Sequence, residues 1–304
     1  METRVASQLW SGVYPAATTQ FAADDAVDIE ATQRVLTALV DDGVDGLVIL
    51  GTCGENNSLL PEEKRAVMKA ATEAVGGRVP LVAGVSELGT GRAVEFARDA
   101  EAIGMDALMV LPAMVYVPRP AELEAHFRAV AGASALPCML YNNPIAYGTD
   151  VVAAQMGELA EKHANLHAVK ESGGDVRRVS TIRQLLGDRL NVLVGMDDMI
   201  VESVGVGATG WIAAGRPAWD PVTRLITLDG VTYGQGMVAG STTPITTLPA
   251  YFNNSPSDGR SFMRIGGPGE APYLTLPTVT NAATPAAGGV SNNIRFVSTS
   301  PVNS

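Results

Sequence analysis

The sequence contains few lysines, histidines and cysteines. Of 304 residues, four are lysine, three histidine and two cysteine, and the net charge is -11 at pH 7. This acidic balance argues against binding to nucleic acid or to an anionic membrane, because both need a basic face. Apolar runs are too short to span a bilayer, and the N-terminus lacks the pattern of a secretory leader. We therefore expect a cytoplasmic protein with no nucleic-acid or membrane partner.

The few histidines and cysteines also limit metal and disulfide chemistry. A metal-dependent aldolase needs a histidine cluster, but His163 and His167 lie on either side of a predicted helix-to-strand turn and would not share a helix face. His126 is expected to pack or to cap a helix. Cys53 lies in a glycine-rich turn and Cys138 in an apolar run, and free thiols are expected for both. We expect neither a metal nor a cofactor.

Short apolar runs that alternate with amphipathic stretches fill the first 215 residues or so. The predicted strands are 12–16, 46–50, 81–84, 107–111, 137–141, 166–170, 191–195 and 209–213. The predicted helices are about 28–40, one that opens at 61, and 95–103, 121–131, 151–162 and 176–186. Runs this apolar are typical of a parallel sheet covered on both faces. Eight such units predict an α/β protein with a (β/α)8 TIM barrel, and an open doubly wound sheet is the competing fold.

One lysine ends an apolar strand. A buried ammonium group is costly unless it is paired, neutralised or used, and Lys170 closes the run 166–170, whereas the other three lysines are predicted on exposed helix surface. In a barrel the chemistry lies at the carboxyl ends of the strands. Tyr141 ends the preceding strand, so its phenol and the amine are expected in one barrel mouth. A neutral amine there could attack a carbonyl, and the phenol could transfer protons.

At these positions the chain resembles a known family, the Schiff-base-forming class I aldolases of the dihydrodipicolinate synthase and N-acetylneuraminate lyase group. The resemblance covers about residues 12–228. It depends on Gly-Thr-x-Gly-Glu at 51–55, Tyr-Asn-x-Pro at 141–144, Lys-Glu at 170–171 and Gly-x-Asp-Asp at 195–198. Each motif alone is weak, but the four occur in order and at strand ends.

The resemblance implies a lyase that acts on a small 2-oxo acid, such as pyruvate, or on its precursor. Lys170 would form the imine, Tyr141 would be the acid and base, and Thr52 would pass protons to the phenol of Tyr141. Two amide donors that face a pocket make an anion site, so the turn is expected to hold the substrate carboxylate. The implied substrate-binding residues are Thr52, Cys53, Gly54 and Tyr116, the last in the site of a neighbouring subunit. The resemblance also implies a homotetramer.

Two departures from the family narrow the substrate. Cys53 replaces a second threonine, which removes a hydroxyl donor but keeps the backbone N–H, so carboxylate binding should weaken. Family members that make dihydrodipicolinate carry an arginine where this chain has Ala146. Because an arginine fork suits a second carboxylate, that synthase activity is disfavoured. The chain is most similar to the branch with deaminases and dehydratases, which includes a hydroxypyrroline carboxylate deaminase.

Two other functions remain open at this point. A glycosidase would use two carboxylates, for which Glu55 and Glu171 are the strand-ending pair. That reading leaves Lys170 and Tyr141 without a role. A barrel that only binds an oxo acid, without turnover, is compatible with the same residues.

The last quarter of the chain differs in character. An eighth helix is predicted over 219–226, with Asp220 as its cap and Pro221 at its first position. Residues 230–304 contain no lysine and are rich in Gly, Pro, Ser and Thr, with β-prone pieces at 273–276 and 294–297. The family has further helices there. We expect a barrel domain of 1–229 and, over 230–304, a β-rich appendage, a disordered tail or a foreign segment.

Overall fold

The computed structural model describes residues 9–113 and 116–214, together with the backbone of five later strands. The chain divides into two units, Met1–Ala214 and Gly215–Ser304. None of the described helices is long and apolar enough to cross a membrane.

Within the first unit, eight strands alternate with helices. The strands are β1 (Gly12–Pro15), β2 (Leu47–Ile49), β3 (Leu81–Val85), β4 (Ala107–Val110), β5 (Cys138–Asn142), β6 (Leu166–Glu171), β7 (Asn191–Val194) and β8 (Gly210–Ala213). The helices are α1 (Ile29–Asp41), α2 (Pro61–Val75), α3 (Thr90–Ile103), α4 (Pro120–Ala131), α5 (Pro144–Tyr147), α6 (Ala153–Lys162), α7 (Arg177–Leu186) and α8 (Ile200–Gly205).

All eight strands are parallel to their neighbours, in the order β1-β8-β7-β6-β5-β4-β3-β2. A parallel bridge between Ala16 and Val48 joins β1 to β2, the two ends of this sheet. The sheet thus curls into a barrel, and the predicted (β/α)8 fold is confirmed.

Local sequence signals explain where the helices begin. The Asp28 carboxylate accepts a hydrogen bond of 2.8 Å from the backbone N–H of Ala31, which caps α1. Pro61 occupies the first position of α2, where its missing N–H costs nothing, and the Glu63 side chain accepts from the backbone of Leu60 at 2.7 Å. These caps place the starts of both helices within one residue of their predicted positions.

The apolar side chains form two layers. The inner layer fills the barrel with residues such as Val48, Met109 and Leu193, and the outer layer lies between strands and helices. Along β6 successive side chains point to opposite faces, so Ala168 belongs to the inner layer and Val169 to the outer layer. Lys170 therefore has the inward orientation of Ala168, at the carboxyl end of the strand.

The second unit contains a five-stranded sheet. Its strands are β9 (Arg216–Asp220), β10 (Leu225–Asp229), β11 (Phe262–Ile265), β12 (Tyr273–Thr275) and β13 (Ile294–Ser298), in the order β12-β11-β13-β10-β9. The β-prone pieces at 273–276 and 294–297 coincide with β12 and β13. Apart from β11, β12 and β13, residues 230–304 lie outside the described part of the chain.

The predicted eighth helix is wrong. Residues 219 and 220 belong to β9 and residues 225 and 226 to β10, and the two strands pair antiparallel, with Asp220 opposite Leu225. The predicted helix fails because residues on both sides of 221–224, which lie outside the described part, pair with each other as strands. The first unit accordingly ends at Ala214, earlier than the domain boundary expected at residue 229.

Candidate active site

Lys170 and Tyr141 meet at the carboxyl ends of β6 and β5. They are register partners across the two strands, and the Lys170 Nζ lies 4.0 Å from the centroid of the Tyr141 ring. Both are buried, with 5% and 1% of their surface exposed. Within the described residues, no carboxylate oxygen lies within the 4.0 Å of an ion pair from this amine. The amine thus lies against an aromatic face at the carboxyl ends of the strands rather than in an ion pair with a described carboxylate.

Gly195 makes room for the lysine. A Cβ added to Gly195 would approach the Lys170 Cε to 2.5 Å and would also collide with the Ser172 hydroxyl. This glycine begins the turn after β7, the neighbour of β6. The Gly-x-Asp-Asp motif therefore has a steric reason for its first residue.

The phenol that contacts Thr52 is that of Tyr147. The Thr52 Oγ1 and the Tyr147 OH form a short hydrogen bond between the turn after β2 and the short helix α5. The ring of Tyr147 packs edge-on against that of Tyr141, with centroids 5.8 Å apart and planes at 86°. Thr52 was predicted to pass protons to the phenol of Tyr141, so Tyr147 is an addition to the predicted site.

The turn after β2 has an unusual backbone. Leu50 and Glu55, on either side of the turn 51–54, adopt left-handed φ angles of 53° and 55°. Non-glycine residues in this region are strained, and such strain is concentrated at functional sites. Within the turn, the amides of Glu55 and Asn56 donate to the carbonyls of Thr52 and Gly51, and the Cys53 amide interacts with its own thiol.

Cys53 and Asp197 are titratable groups that interact electrostatically with the Lys170 amine. Burial raises the pKa of the Cys53 thiol, and the positive charge of Lys170 opposes that shift. Burial likewise raises the pKa of Asp197 to about 6, against hydrogen bonds from Ala214 and Trp211. The Trp211 indole donates to the Asp197 carboxylate at 2.9 Å and the Ala214 amide at 3.2 Å. Asp197 is thus a fixed carboxylate that titrates near neutral pH beside a lysine.

A family profile matches this chain over residues 9–218, and that family is described as the dihydrodipicolinate synthetase family. The chain belongs to the dihydrodipicolinate synthetase family. A 4-hydroxy-tetrahydrodipicolinate synthase from Moorella thermoacetica is 39% identical over 207 residues, which are 67% of this chain and 70% of the relative. The synthase of that name from Stenotrophomonas maltophilia strain K279a is 38% identical over 206 residues, 67% of this chain and 69% of the relative.

Solved structures of the dihydrodipicolinate synthetase family have the same fold. The dihydrodipicolinate synthase from Aquifex aeolicus superposes with a TM-score of 0.65 at 31% identity, covering 67% of this chain and 69% of that one. A prophage protein of the family from E. coli K12, solved in complex with pyruvate, has a TM-score of 0.65 at 30% identity, with 67% and 70% covered. The chain is therefore a lyase of this family, of the Schiff-base type.

The glycosidase alternative does not survive this assignment. Glu171 points away from the barrel interior and is 3% exposed. Its carboxylate accepts from the Gly173 amide at 2.6 Å and from the Asn142 side chain at 3.1 Å, and it lies 3.1 Å from the Arg178 Nε. Glu55 is exposed. In this dihydrodipicolinate synthetase family member Glu171 thus links β5, β6 and α7.

Four other residues considered in the sequence analysis, Tyr116, Gly54, Cys53 and Cys138, have the following places. Tyr116 is 55% exposed, on the loop after β4, whose residues 114 and 115 lie outside the described part. Gly54 packs tightly, because a Cβ there would come within 2.7 Å of the Leu50 amide nitrogen. Cys53 and Cys138 are free thiols.

The prediction for Lys64 is wrong. This residue is 5% exposed rather than on open helix surface, and its Nζ forms an ion pair of 2.5 Å with the Glu87 carboxylate. The contrast with Lys170 is informative, since both lysines are buried but Lys64 has a carboxylate partner. His126 is buried, with its Nδ1 3.0 Å from the Thr90 hydroxyl, and His167 is exposed in β6. Among the described residues, no group of three or more His, Cys, Asp or Glu could hold a metal ion.

Two residues of the site were missed by sequence reasoning. Tyr147 lies six residues after Tyr141. It directly follows Ala146, the position at which some family members carry an arginine, and an aromatic side chain there was the available signal. Asp197 belongs to a motif that was noted but received no role. In both cases the missing information was the path of a turn after a strand, which decides whether a side chain enters the mouth.

Proposed function

We propose that the chain forms a Schiff base between Lys170 and the carbonyl carbon of a 2-oxo acid such as pyruvate. The free amine attacks the carbonyl, and the carbonyl oxygen leaves as water once Tyr141 has supplied a proton. This role for Lys170 agrees with membership of a Schiff-base lyase family and with the pyruvate bound to the E. coli K12 relative.

The observation that carries the proposal is the burial of the Lys170 amine without a carboxylate partner among the described residues. The amine lies 4.0 Å from the Tyr141 ring centroid, and the lysine side chain passes Gly195. A lysine attacks a carbonyl through its free amine, and no described carboxylate pairs with this one. Lys64 is equally buried but forms an ion pair with Glu87.

We assign the substrate carboxylate to the turn after β2. The amides of Thr52 and Cys53 are the donors, in the strained backbone that also positions the Thr52 hydroxyl. Cys53 offers a thiol, a weak donor, where a threonine would offer a hydroxyl. Carboxylate binding should therefore depend mainly on the backbone.

The substrate is proposed to carry a single carboxylate. Ala146 is exposed on α5, and its methyl group cannot pair with a second carboxylate. A hydroxypyrroline carboxylate deaminase-like reaction meets this limit, because that substrate is a cyclic imine with one carboxylate. The Lys170 amine would add to the imine carbon and open the ring, which leaves the nitrogen as an amine on the far ring carbon. Loss of the hydroxyl as water turns that carbon–nitrogen bond into an imine, and a water molecule hydrolyses it to release ammonia. Release of ammonia from hydroxypyrroline carboxylate would support this specific reaction, and formation of the dihydrodipicolinate precursor instead would contradict it.

Self-association and a cytoplasmic location are also proposed. Large apolar side chains are exposed on the loops after β2, β3 and β4, namely Leu60 (57%), Leu88 (59%), Tyr116 (55%) and Val117 (64%). A homotetramer would cover such side chains. Analytical ultracentrifugation tests this, since a monomer at micromolar concentration would contradict it. The free thiols of Cys53 and Cys138 suit a reducing compartment.

Trapping the imine tests the reaction class. The protein is incubated with pyruvate and borohydride, which reduces an imine to a stable amine, and its intact mass is measured. We expect one pyruvate adduct per chain in the wild type and none in Lys170→Arg, whose guanidinium is not a nucleophile. Failure of pyruvate and of other 2-oxo acids to give an adduct would refute the proposal. Adduct formation without turnover of any tested substrate would favour an oxo-acid-binding protein.

A further inference from the structure

We propose that the Tyr147 hydroxyl takes part in proton transfer, as the outer member of a relay that runs from Tyr141 through Thr52 to this second phenol of the same subunit. This inference depends on the proposed function, because it needs Tyr141 to act as acid and base at an imine on Lys170. It places the second phenol on α5 of the same chain, whereas the resemblance implied only a substrate-binding place for Tyr116 in a neighbouring subunit.

The first observation is the hydrogen bond across the barrel mouth. Thr52 follows β2 and Tyr147 ends α5 after β5, and β3 and β4 separate these strands in the sheet. A hydroxyl has one donor and two acceptor sites, so Thr52 can serve two partners at once. The Thr52 hydroxyl is therefore able to connect the Tyr147 phenol with the phenol of Tyr141.

The second observation is that α5 is built to hold this phenol. Asn143 caps the helix by accepting from the Ala146 amide at 3.1 Å, and its backbone carbonyl accepts from the Tyr147 amide at 3.0 Å. Gly148 ends the helix with a left-handed φ of 70°. The same Asn143 donates from its side chain to the Tyr141 OH at 3.0 Å. One residue thus fixes both phenols.

The third observation is that the two hydroxyl groups beyond Tyr141 in the proposed relay, those of Thr52 and Tyr147, are both less buried than Tyr141. Lys170 and Tyr141 are buried, Tyr147 is half-buried and Thr52 is exposed. A buried acid and base that turns over must exchange protons with solvent, and this arrangement supplies a route. When Tyr141 gives its proton to the departing carbonyl oxygen, it takes one from Thr52, which takes one from Tyr147, which takes one from solvent. Each of these three hydroxyl oxygens loses one proton and gains one, so none of them is left charged.

The test measures proton transfer without the need for a second substrate. An imine of pyruvate loses a methyl proton to give an enamine and regains one from solvent, so in D2O the methyl signal in the NMR spectrum decays. Tyr147→Phe keeps the ring against Tyr141 and removes only the hydroxyl. We expect its exchange to be about 10- to 100-fold slower, with the amount of borohydride-trapped adduct at saturating pyruvate unchanged.

A double-mutant cycle separates the relay from a structural role. Thr52→Val should slow exchange as well, and the double variant with Tyr147→Phe should be no more than about twofold slower than the slower single variant, because both act in one chain. Ile145→Ala, an exposed change on the same short helix, is the control for disturbing α5 and should exchange like the wild type.

Three outcomes overturn the inference. The first is wild-type exchange in Tyr147→Phe. The second is a double variant whose loss equals the product of the two single losses. The third is slow exchange in Tyr116→Phe while Tyr147→Phe is unaffected, which would return the second phenol to a neighbouring subunit. Borohydride trapping of the wild type distinguishes failure of the relay from failure of the proposed function. A missing pyruvate adduct in the wild type refutes the proposed function. An adduct in the wild type together with wild-type exchange in Tyr147→Phe refutes only the relay.

Discussion

Replacing Gly195 by alanine should disable the lysine without removing any polar group. The new Cβ would stand 2.5 Å from the Lys170 Cε. Carbon atoms in ordinary contact are about 3.5–4.0 Å apart, so the lysine must move by about 1 Å or more. A displacement of about 1 Å at a reacting group costs about 100-fold in rate, and overpacking costs about 1–3 kcal/mol of stability.

The assay compares the rate of borohydride trapping with pyruvate in Gly195→Ala and in a matched control. Gly205→Ala is that control, because its Cβ would meet nothing within 4 Å. We expect the Gly205 variant to trap pyruvate like the wild type and the Gly195 variant to trap about 100-fold more slowly. Thermal unfolding shows whether each variant is folded. Wild-type trapping in a folded Gly195→Ala variant would refute the steric reasoning.

Three further predictions concern groups around the site. Burial raises the pKa of Asp197 from 3.8 to about 6, so between these values the folded state binds a proton that the unfolded state does not. The free energy of unfolding should therefore fall as the pH rises from about 4 to about 6. Urea unfolding should show this fall in the wild type and not in Asp197→Asn. Cys53→Thr should lower the half-saturating pyruvate concentration about tenfold through a hydroxyl donor, and an unchanged value would contradict that role. Glu87→Gln should destabilise the chain by about 3–5 kcal/mol, because it leaves the buried Lys64 charge unpaired, while trapping at Lys170 persists; a loss of trapping would contradict the separation of the two lysines.

The barrel could be predicted because its signals are local. Eight apolar runs bounded by glycines follow directly from the need to bury both faces of a parallel sheet. Caps such as Asp28 and Pro61 likewise act within one helical turn, so the starts of α1 and α2 were accurate. Lys170 and Tyr141 could be placed side by side because they end consecutive strands, β5 and β6, which are neighbours in the barrel.

The errors arose where tertiary contacts decide. Lys64 has the sequence environment of an exposed helix residue, and only the packing of α2 beside the loop after β3 brings it to Glu87. Asp220 followed by proline has the local signal of a helix start, but the pairing of β9 with β10, a contact the local sequence does not show, places Asp220 in a strand. The position of Tyr147 depends on how α5 is placed relative to the ends of the strands. The hydrophobic periodicity of the sequence does not predict that placement.

The central claim is that Lys170, of the two buried lysines, carries the imine. The most direct measurement is peptide-resolved mass spectrometry of the protein after reaction with pyruvate and borohydride. The account predicts the added mass on the peptide that contains Lys170 and none on the peptide that contains Lys64. An adduct on Lys64, or an unmodified Lys170 in protein that turns over a 2-oxo acid, would contradict it.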